Sequence, residues 1–477
     1  MPPVRLSILI PVYNEANSIR AVLERVVTAP AAYFEAKQIA VHVIVVDDGS
    51  RDESCREVEA FCAQHPEVSL DLIRQSPNAG KGAAIRTAIA HANSDFCLIQ
   101  DADFEYDPLD YPKLLDPLIA DDADAVLGSR FMNAMQRRPF GFWQGAANRA
   151  ISTFASMAAG LELSDVESGY KAFRTSLGKS IPLYSKRFGL DPELMIQLAK
   201  RHARFIEVPI NYHGRTQEQG KKIGARDALA AVGSILRTWL FSAAHKDPGA
   251  QMLFILSRAK RFNRWMAETI TPFIAGDVLE LGAGIGNLTL LLASKARTYT
   301  ATDTDSDHLC ELRSRTAYRP NIRVAACDLS QSESVAAFQQ SADTVVCLNV
   351  LEHISDDVTG FANVRSCLKL GGTAIILVPQ GPQAFGSLDE VLEHKRRYTV
   401  DELRQKMTAV GLEVSQIIGF NHATFPGWYL NSRILRRRTL SRSQVTLFDL
   451  LVPLWKAIDD KLPWPATSLI GIGKVKH

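Results

Sequence analysis

Two successive rounds of short apolar strands alternating with helical stretches constrain this chain more than any other feature. The first round runs through LSILIPV, VHVIVVDD, LDLIRQ, FCLIQDAD and ADAVLGS. Between its first two strands lies EANSIRAVLERVVTA, where Ile19, Val22, Leu23, Val26 and Val27 recur at helical spacing. The second round runs through DVLELGAG, TYTATD, IRVAACD, DTVVCLN, GGTAIILVP and LEVSQIIGFN. Strands this continuously apolar are buried on both faces, and a strand–helix–strand rhythm makes them parallel, so each round predicts a doubly wound α/β sheet. The stretch HKDPGA at 245–250 breaks the rhythm with charge, proline and glycine, which predicts two domains, 1–247 and 248–477. A chain of 477 residues also exceeds what one hydrophobic core usually serves.

Charge and cysteine usage narrow the partners. A formal net charge of +2 makes no case for nucleic acid. Seven scattered cysteines without a C-x-x-C argue against a disulfide framework and a zinc site, and lead to the expectation of a cytoplasmic protein. The opening MPPVRLSILIPVYNE has too short an apolar run for a signal peptide. No window supplies the ~20 continuous apolar residues that a spanning helix needs. The most apolar helical stretch, 228–244, contains Arg237 and reads as packed or interfacial. With the basic run Arg436, Arg437 and Arg438, it suits peripheral contact with an anionic membrane face; a basic run serves equally as a solvated surface.

Acids gather where the first round of strands ends. In CLIQDADF, Asp101 and Asp103 lie two apart, so a strand points them the same way. Such a pair suits either a solvated turn or a divalent cation with oxygen ligands, Mg²⁺ or Mn²⁺. Asp47 and Asp48 end an earlier strand, and open parallel sheets bind ligands at these carboxyl ends. In PNAGKGAAI, Gly80 and Gly82 flank Lys81 at a helix start, where free amides and a lysine face phosphate or simply form an N-terminal turn.

SILIPVYNEANSI, VIVVDDGSRDES, NAGKGAAIRTA, DADFEYDP, GSRF, DVESGYKAFR and IEVPINYHGRTQEQGKKIG resemble, in order over roughly residues 5–225, the family 2 inverting glycosyltransferases of the GT-A fold, the dolichyl-phosphate mannosyltransferase branch above all. The resemblance implies Pro11, Tyr13 and Glu15 around a nucleotide base and ribose, with Val45 and Asp47 beside them. It implies a metal on Asp101 and Asp103 that holds the donor diphosphate, Ala102 backing the nucleotide, and Arg130, Arg215 and Lys221 meeting phosphate charge. It implies a GDP- or UDP-sugar donor. A polyprenyl-phosphate acceptor is already an anion, whereas a hydroxyl needs a carboxylate to take its proton. Asp191 and Glu193 in FGLDPELM are the catalytic acids to test for that role; the same two residues also suit a helix cap and first turn.

The second half opens on DVLELGAGIGNLTLLLA: a strand ending at Glu280, a turn with Gly282, Gly284 and Gly286, then a helix. Asp303 ends the next strand, as suits a ribose, and Asp328 ends the third, followed by VVCLNVLEHI. From about 260 to 425 the chain is similar to class I S-adenosylmethionine-dependent methyltransferases of Rossmann-like fold. That implies Glu280, Gly282 and Gly284 at the amino-acid end of the cofactor, Asp303 on its ribose, Asp328 near adenine, and Asn349 lining the cleft. A hydroxyl acceptor needs a base, and His394 and His353 are the catalytic candidates. Similar enzymes carry an Asp-…-His-x-Arg-Arg-Tyr segment, matched by Asp389, His394, Arg396, Arg397 and Tyr398; its arginines either clamp an anionic acceptor or decorate a surface loop. Asn349 stands where related metal-dependent enzymes have glutamate, so no metal is expected in this half.

The whole predicts a bifunctional enzyme that transfers a sugar to a glycan or lipid-linked acceptor and a methyl group to an oxygen of a related one. Two alternatives stay open: a polyprenyl-phosphate sugar synthase with an independent methyltransferase, and one half acting as a non-catalytic nucleotide-responsive module.

Overall fold

The computed structural model describes residues 3–132, 142–187, 189–214, 225–317 and 319–476, and within these only the backbone of 142–144 and 225–229. Arg215 and Lys221 lie outside the described residues. The chain divides into two compact units, Met1–Ala244 and His245–His477.

Among the described residues, the first unit forms one sheet of seven strands: β1 (Val4–Val12), β2 (Ile39–Asp47), β3 (Leu70–Arg74), β4 (Phe96–Ile99), β5 (Ala125–Ser129), β6 (Lys171–Arg174) and β7 (Phe205–Pro209). Their order is β3-β2-β1-β4-β6-β5-β7, with β6 antiparallel to both neighbours and the other pairs parallel. The central β1 is buried from Leu6 through Ile10 because strands flank it on both edges and helices cover its faces. β4 stops at Ile99, so Asp101 and Asp103 stand just beyond its carboxyl end, level with Asp47 at the end of β2.

The second unit repeats the plan with β8 (Asp277–Leu281), β9 (Thr298–Asp303), β10 (Ile322–Ala326), β11 (Ala342–Leu348), β12 (Leu368–Pro379), β13 (Leu412–Phe420) and β14 (Ser468–Val475). The order is β10-β9-β8-β11-β12-β14-β13, and β14 runs antiparallel between β12 and β13. Both sheets are doubly wound α/β sheets, as the alternation predicts, but mixed in strand direction. Each contains an antiparallel strand that the alternation does not reveal, β6 and β14. No described helix is long and apolar enough to cross a membrane.

Candidate functional site

In the first unit a buried carboxylate builds the loop beside the acids. Asp48 accepts from the backbone amides of Ala79 (2.8 Å) and Gly80 (2.6 Å) and from the Gln75 side chain, and its carbonyl accepts from Asn78 Nδ2 at 2.9 Å. The chain turns there through Gly80 at φ +97°, where a Cβ would meet the Lys186 carbonyl at 2.3 Å, and the helix Lys81–His91 begins. Glycine is required on both counts.

That turn aims Lys81 across the site. Its Nζ lies 2.6 Å from Asp101 Oδ1, and neither side chain is more than one-fifth exposed. Burial pulls the Lys81 pKa down, but Asp101, Asp191 and Asp103 together outweigh it and hold the ammonium charged well above the ordinary lysine value. The lysine expected to face phosphate therefore sits on the acid expected to hold a cation. Asp103 accepts from the Glu105 amide at 3.0 Å, and the Glu105 carboxylate accepts from the Tyr212 hydroxyl at 3.1 Å. Gly169 abuts the same acid: a Cβ there would fall 2.6 Å from Asp101 Oδ2. Carboxylate oxygens such as those of Asp101 and Asp103 are the ligand type that suits Mg²⁺ or Mn²⁺; among the described residues, the group of potential ligand atoms lying within 4.8 Å of one another is that of Glu352, His353 and His394 in the other unit.

Around this centre two buried ion pairs form. Arg130 forks onto Asp165 through Nε and Nη2, each at 2.7 Å, and its guanidinium lies 5.1 Å from the centre of the Tyr212 ring. Lys171 Nζ is 2.7 Å from Asp191 Oδ1 and also donates to the Ser168 carbonyl. Glu193 is fully buried and accepts from the backbone amides of Tyr184 (3.0 Å) and Ser185 (2.7 Å). Between the pairs, Glu167 leaves its Oε1 buried without a hydrogen-bond partner, and burial, then the nearby Asp191 charge, raise its pKa to about 7. Of the residues assigned to the nucleotide, Tyr13 is exposed, Glu15 accepts from Ser18 Oγ at 2.9 Å, and Asp47 accepts from the Ser50 amide at 3.1 Å. Pro11 stands opposite Val46 in the sheet. Val45 and Ala102 are buried in the apolar core of this unit.

In the second unit the turn after β8 has three glycines at positive φ: Gly282 (+74°), Gly284 (+55°) and Gly286 (+80°). A Cβ on Gly282 would meet Val350 Cγ2 at 2.3 Å, and one on Gly286 would meet Leu312 at 2.6 Å. Gly284 is open, its nearest neighbour being Leu253 at 4.0 Å, and this bare backbone leaves room for a ligand. Asp303 accepts from the Gly284 amide at 2.8 Å and faces His308 Nδ1 at 3.3 Å. Burial works against the Asp303 charge, but His308 and these amides hold its pKa below the ordinary value. Asp328 accepts from the amide and hydroxyl of Ser330 and from Gln331. Asn349 is exposed with left-handed backbone, φ +54°. Glu280 turns inward: its Oε2 accepts from Thr289 Oγ1 (2.6 Å) and Tyr299 Oη (3.0 Å), and burial raises its pKa to about 7.

The segment 389–398 forms a network. Asp389 Oδ1 accepts from His394 Nδ1 at 2.9 Å and from Arg397 Nε at 2.8 Å, and Oδ2 from the Gly386 amide at 3.0 Å. Arg397, side chain 1% exposed, also donates to the Gln380 carbonyl and lies 4.9 Å from the centre of the Trp428 ring. Arg396 and Tyr398 both reach Asp357, at 2.8 Å and 2.7 Å. Asp389, Arg396, Arg397 and Tyr398, the residues expected to meet the acceptor, bond to one another, to Asp357 and to the neighbouring loop, as buried charges need partners. What the network presents is His394. With Nδ1 held by Asp389, its Nε2 points toward Glu352 Oε1 at 3.9 Å, and the His353 ring stands edge-on at 4.8 Å between centroids. Both Glu352 oxygens are buried without hydrogen-bond partners, and burial raises that carboxyl to about 8. Desolvation and then His394 push the His353 imidazole down to about 4.

Residues 7–177 match the model of Glycosyl transferase family 2, and residues 279–374 match that of the Methyltransferase domain. The chain carries one domain of each kind. The chain also matches curated relatives. It is 31% identical over 214 residues to Glycosyltransferase AglJ of Haloferax volcanii, covering 45% of this chain and 64% of that protein, less than two thirds of its length. It is 26% identical over 304 residues to the undecaprenyl-phosphate 4-deoxy-4-formamido-L-arabinose transferase of Edwardsiella ictaluri, covering 60% of this chain and 87% of that one. Among solved structures, a putative methyltransferase from Bacillus halodurans aligns over 45% of this chain and 99% of its own at 12% identity and a TM-score of 0.33.

Within the glycosyltransferase domain, the fold brings Lys81, Asp101, Asp103 and Asp191 into one electrostatic cluster. It seals Glu193 into a loop brace and ties Arg130 to Asp165. Sequence reasoning missed Asp165, Glu167 and Glu105 here, although the first two stand inside DVESGYK. In the methyltransferase domain it missed His308 and Glu352. Three acids within five residues of a turn are the signal that finds Glu105; Glu352 stands with His353 at the end of NVLEH, where a Glu-x-x-Glu-His pattern has its second glutamate, and that is the signal that finds it.

Proposed function

We propose that the glycosyltransferase domain transfers a sugar, with inversion, from a nucleotide-diphosphate donor to a glycan or lipid-linked acceptor, and that the methyltransferase domain transfers a methyl group from S-adenosylmethionine to an oxygen of a related acceptor. The observation that carries the first part is the acid pair beyond β4 with Lys81 trained on it at 2.6 Å. Asp101 and Asp103, aided by Glu105, would hold a Mg²⁺ or Mn²⁺ ion, which supplies electrostatic stabilisation of a diphosphate leaving group. Once those acids are neutralised, the Lys81 ammonium is freed toward phosphate oxygens, and the amides at the start of the Lys81–His91 helix add partial positive charge.

For the second part, the open Gly284 and the Asp303 carboxylate support a cofactor lying along the loop, and Asp328 and Asn349 are the further contacts proposed for it. S-adenosylmethionine brings a methyl group already activated by its sulfonium. The protein then has to align the acceptor and remove its proton. His394 is suited to that removal, because Asp389 holds Nδ1 and leaves Nε2 as the accepting atom.

A second reading, a polyprenyl-phosphate sugar synthase with an independent methyltransferase, is favoured by the name of the Edwardsiella relative. Peripheral membrane contact fits either. The helix Ala225–Phe241 exposes Trp239, Leu240 and Phe241, and Arg436, Arg437 and Arg438 are exposed in the other unit. Flotation with anionic vesicles at low salt tests it, and no cosedimentation counts against it. A thermal-shift screen of nucleotides with Mn²⁺, and of S-adenosylmethionine, tests the function itself: stabilisation by UDP or GDP only with metal, and by S-adenosylmethionine without it, is expected. No shift with any of them would refute both assignments.

A further inference from the structure

We propose that Glu167 is the general base of the glycosyltransferase domain, and hence that the sugar acceptor is a hydroxyl rather than a phosphate oxygen. The proposal rests on the sugar-transfer reading above.

Topology delivers Glu167 to the site. β6 runs antiparallel to β4 and begins with Lys171 opposite Ile99, so the turn preceding β6 arrives at the end of β4 where Asp101 and Asp103 stand. Gly169, two residues past Glu167, lies so near Asp101 that a Cβ would crowd its carboxylate. The charged groups around Glu167 are Asp165, Arg130, Lys171 and Asp191, and they pair with each other: Arg130 with Asp165 and Lys171 with Asp191. Glu167 is left between the pairs with a buried oxygen that accepts nothing. Asp191 acts on both Glu167 and Lys81, and Lys81 contacts Asp101, so the candidate base and the candidate metal ligands belong to one cluster.

The acids expected for this task are otherwise engaged, Asp191 by Lys171 and Glu193 by two backbone amides. Burial and the Asp191 charge keep the Glu167 proton affinity near neutrality, with Lys171 and Arg130 limiting the rise. A base works best in that range. In the step, the acceptor O–H proton passes to the Glu167 carboxylate as the acceptor oxygen bonds to the anomeric carbon. The anomeric C–O bond to the diphosphate breaks, and its electron pair leaves on the diphosphate. A phosphate acceptor is already anionic, needs no such group, and would be repelled by it.

The test uses the full chain with Mn²⁺ and either UDP-glucose or GDP-mannose, following donor hydrolysis from about pH 5.5 to about pH 9, since water is the simplest hydroxyl acceptor. UDP and GDP binding is measured in parallel by thermal shift. Hydrolysis by the unaltered protein should rise through a limb near neutrality. Glu167→Gln should lower it by about 10²–10⁴-fold and flatten that limb while nucleotide binding persists, and Glu167→Asp should restore part of both. Glu167→Gln with unchanged turnover and limb overturns the proposal and leaves sugar transfer standing. So does turnover with farnesyl phosphate alone, equal in both proteins. Absence of any nucleotide binding overturns the sugar-transfer reading itself.

Discussion

The ammonium of Lys81 and the carboxylate of Asp101 are 2.6 Å apart, although the two residues belong to different elements of the sheet's carboxyl edge. The lysine neutralises an acid that would otherwise repel Asp103 and Asp191, and a divalent ion on Asp101, as proposed, would compete with it for that carboxylate. Asp101→Asn and Asp103→Asn should each lower Mn²⁺-stimulated sugar transfer by about 10²-fold or more and abolish the Mn²⁺ dependence of nucleotide-induced thermal shifts. Full activity in either variant, or in chelator-treated protein, would sink the metal assignment.

The brace beneath that lysine gives a separate expectation. Asp48 is 2% exposed and satisfies two backbone amides of the 75–80 turn. Asp48→Ala leaves them buried and unpaired, so it should cost roughly 1.5–3 kcal/mol in urea unfolding and raise the donor KM, since Lys81 loses its anchor. Asp48→Asn keeps one acceptor and should fall between.

His394 is expected to separate chemistry from binding in the other domain. His394→Gln should reduce methyl transfer by about 10²–10⁴-fold with the dissociation constant for S-adenosylmethionine, measured by calorimetry, unchanged. Unaltered turnover removes His394 from the mechanism. Arg397→Met, by contrast, strands the buried Asp389 charge and should destabilise the unit by about 3–5 kcal/mol.

Glu352 makes a stability prediction with a definite sign. Its folded pKa, about 8, lies above the ordinary 4.5, so the folded chain holds a proton that the unfolded chain releases. The stability linked to this group is therefore fully present below about pH 4.5, falls as pH rises toward 8, and levels off above that. Glu352→Gln should remove this slope and stabilise the methyltransferase unit by about 1–3 kcal/mol at pH 8, while Glu280, also raised, keeps a smaller slope of the same sign. An unchanged pH dependence of chemical denaturation would show that Glu352 is charged in the folded state.

The glycine turn gives the last expectation. Gly282→Ala places a Cβ at φ +74° against Val350 and should destabilise the unit by about 1–3 kcal/mol and weaken S-adenosylmethionine binding. Gly284→Ala meets no crowding neighbour, so its loss should fall on ligand binding rather than on stability.

Much of the fold was legible because it is local. Runs such as LSILIPV and DVLELGAG announce parallel strands through unbroken apolar character, and the two matched domains follow from the order of the acidic and glycine motifs. β6 escaped notice since four residues that include Lys171 and Arg174 do not look like an interior strand; they become one by pairing with β4 and β5. β14 was hidden for a different reason. It lies far along the chain from β12 and sits in the sheet between β12 and β13.

By itself, then, the sequence determined which residues are apolar enough to form strands, where glycine must permit a turn, and which acids end a strand, because each of these depends on neighbours a few positions away. The tertiary structure alone decided partnership: Lys81 on Asp101, Arg130 on Asp165, Arg397 on Asp389, and buried oxygens of Glu167 and Glu352 that accept no hydrogen bond. A carboxylate's chemistry is set by the charges and the water around it, and those are chosen by residues distant in the chain that only the closed sheet brings near.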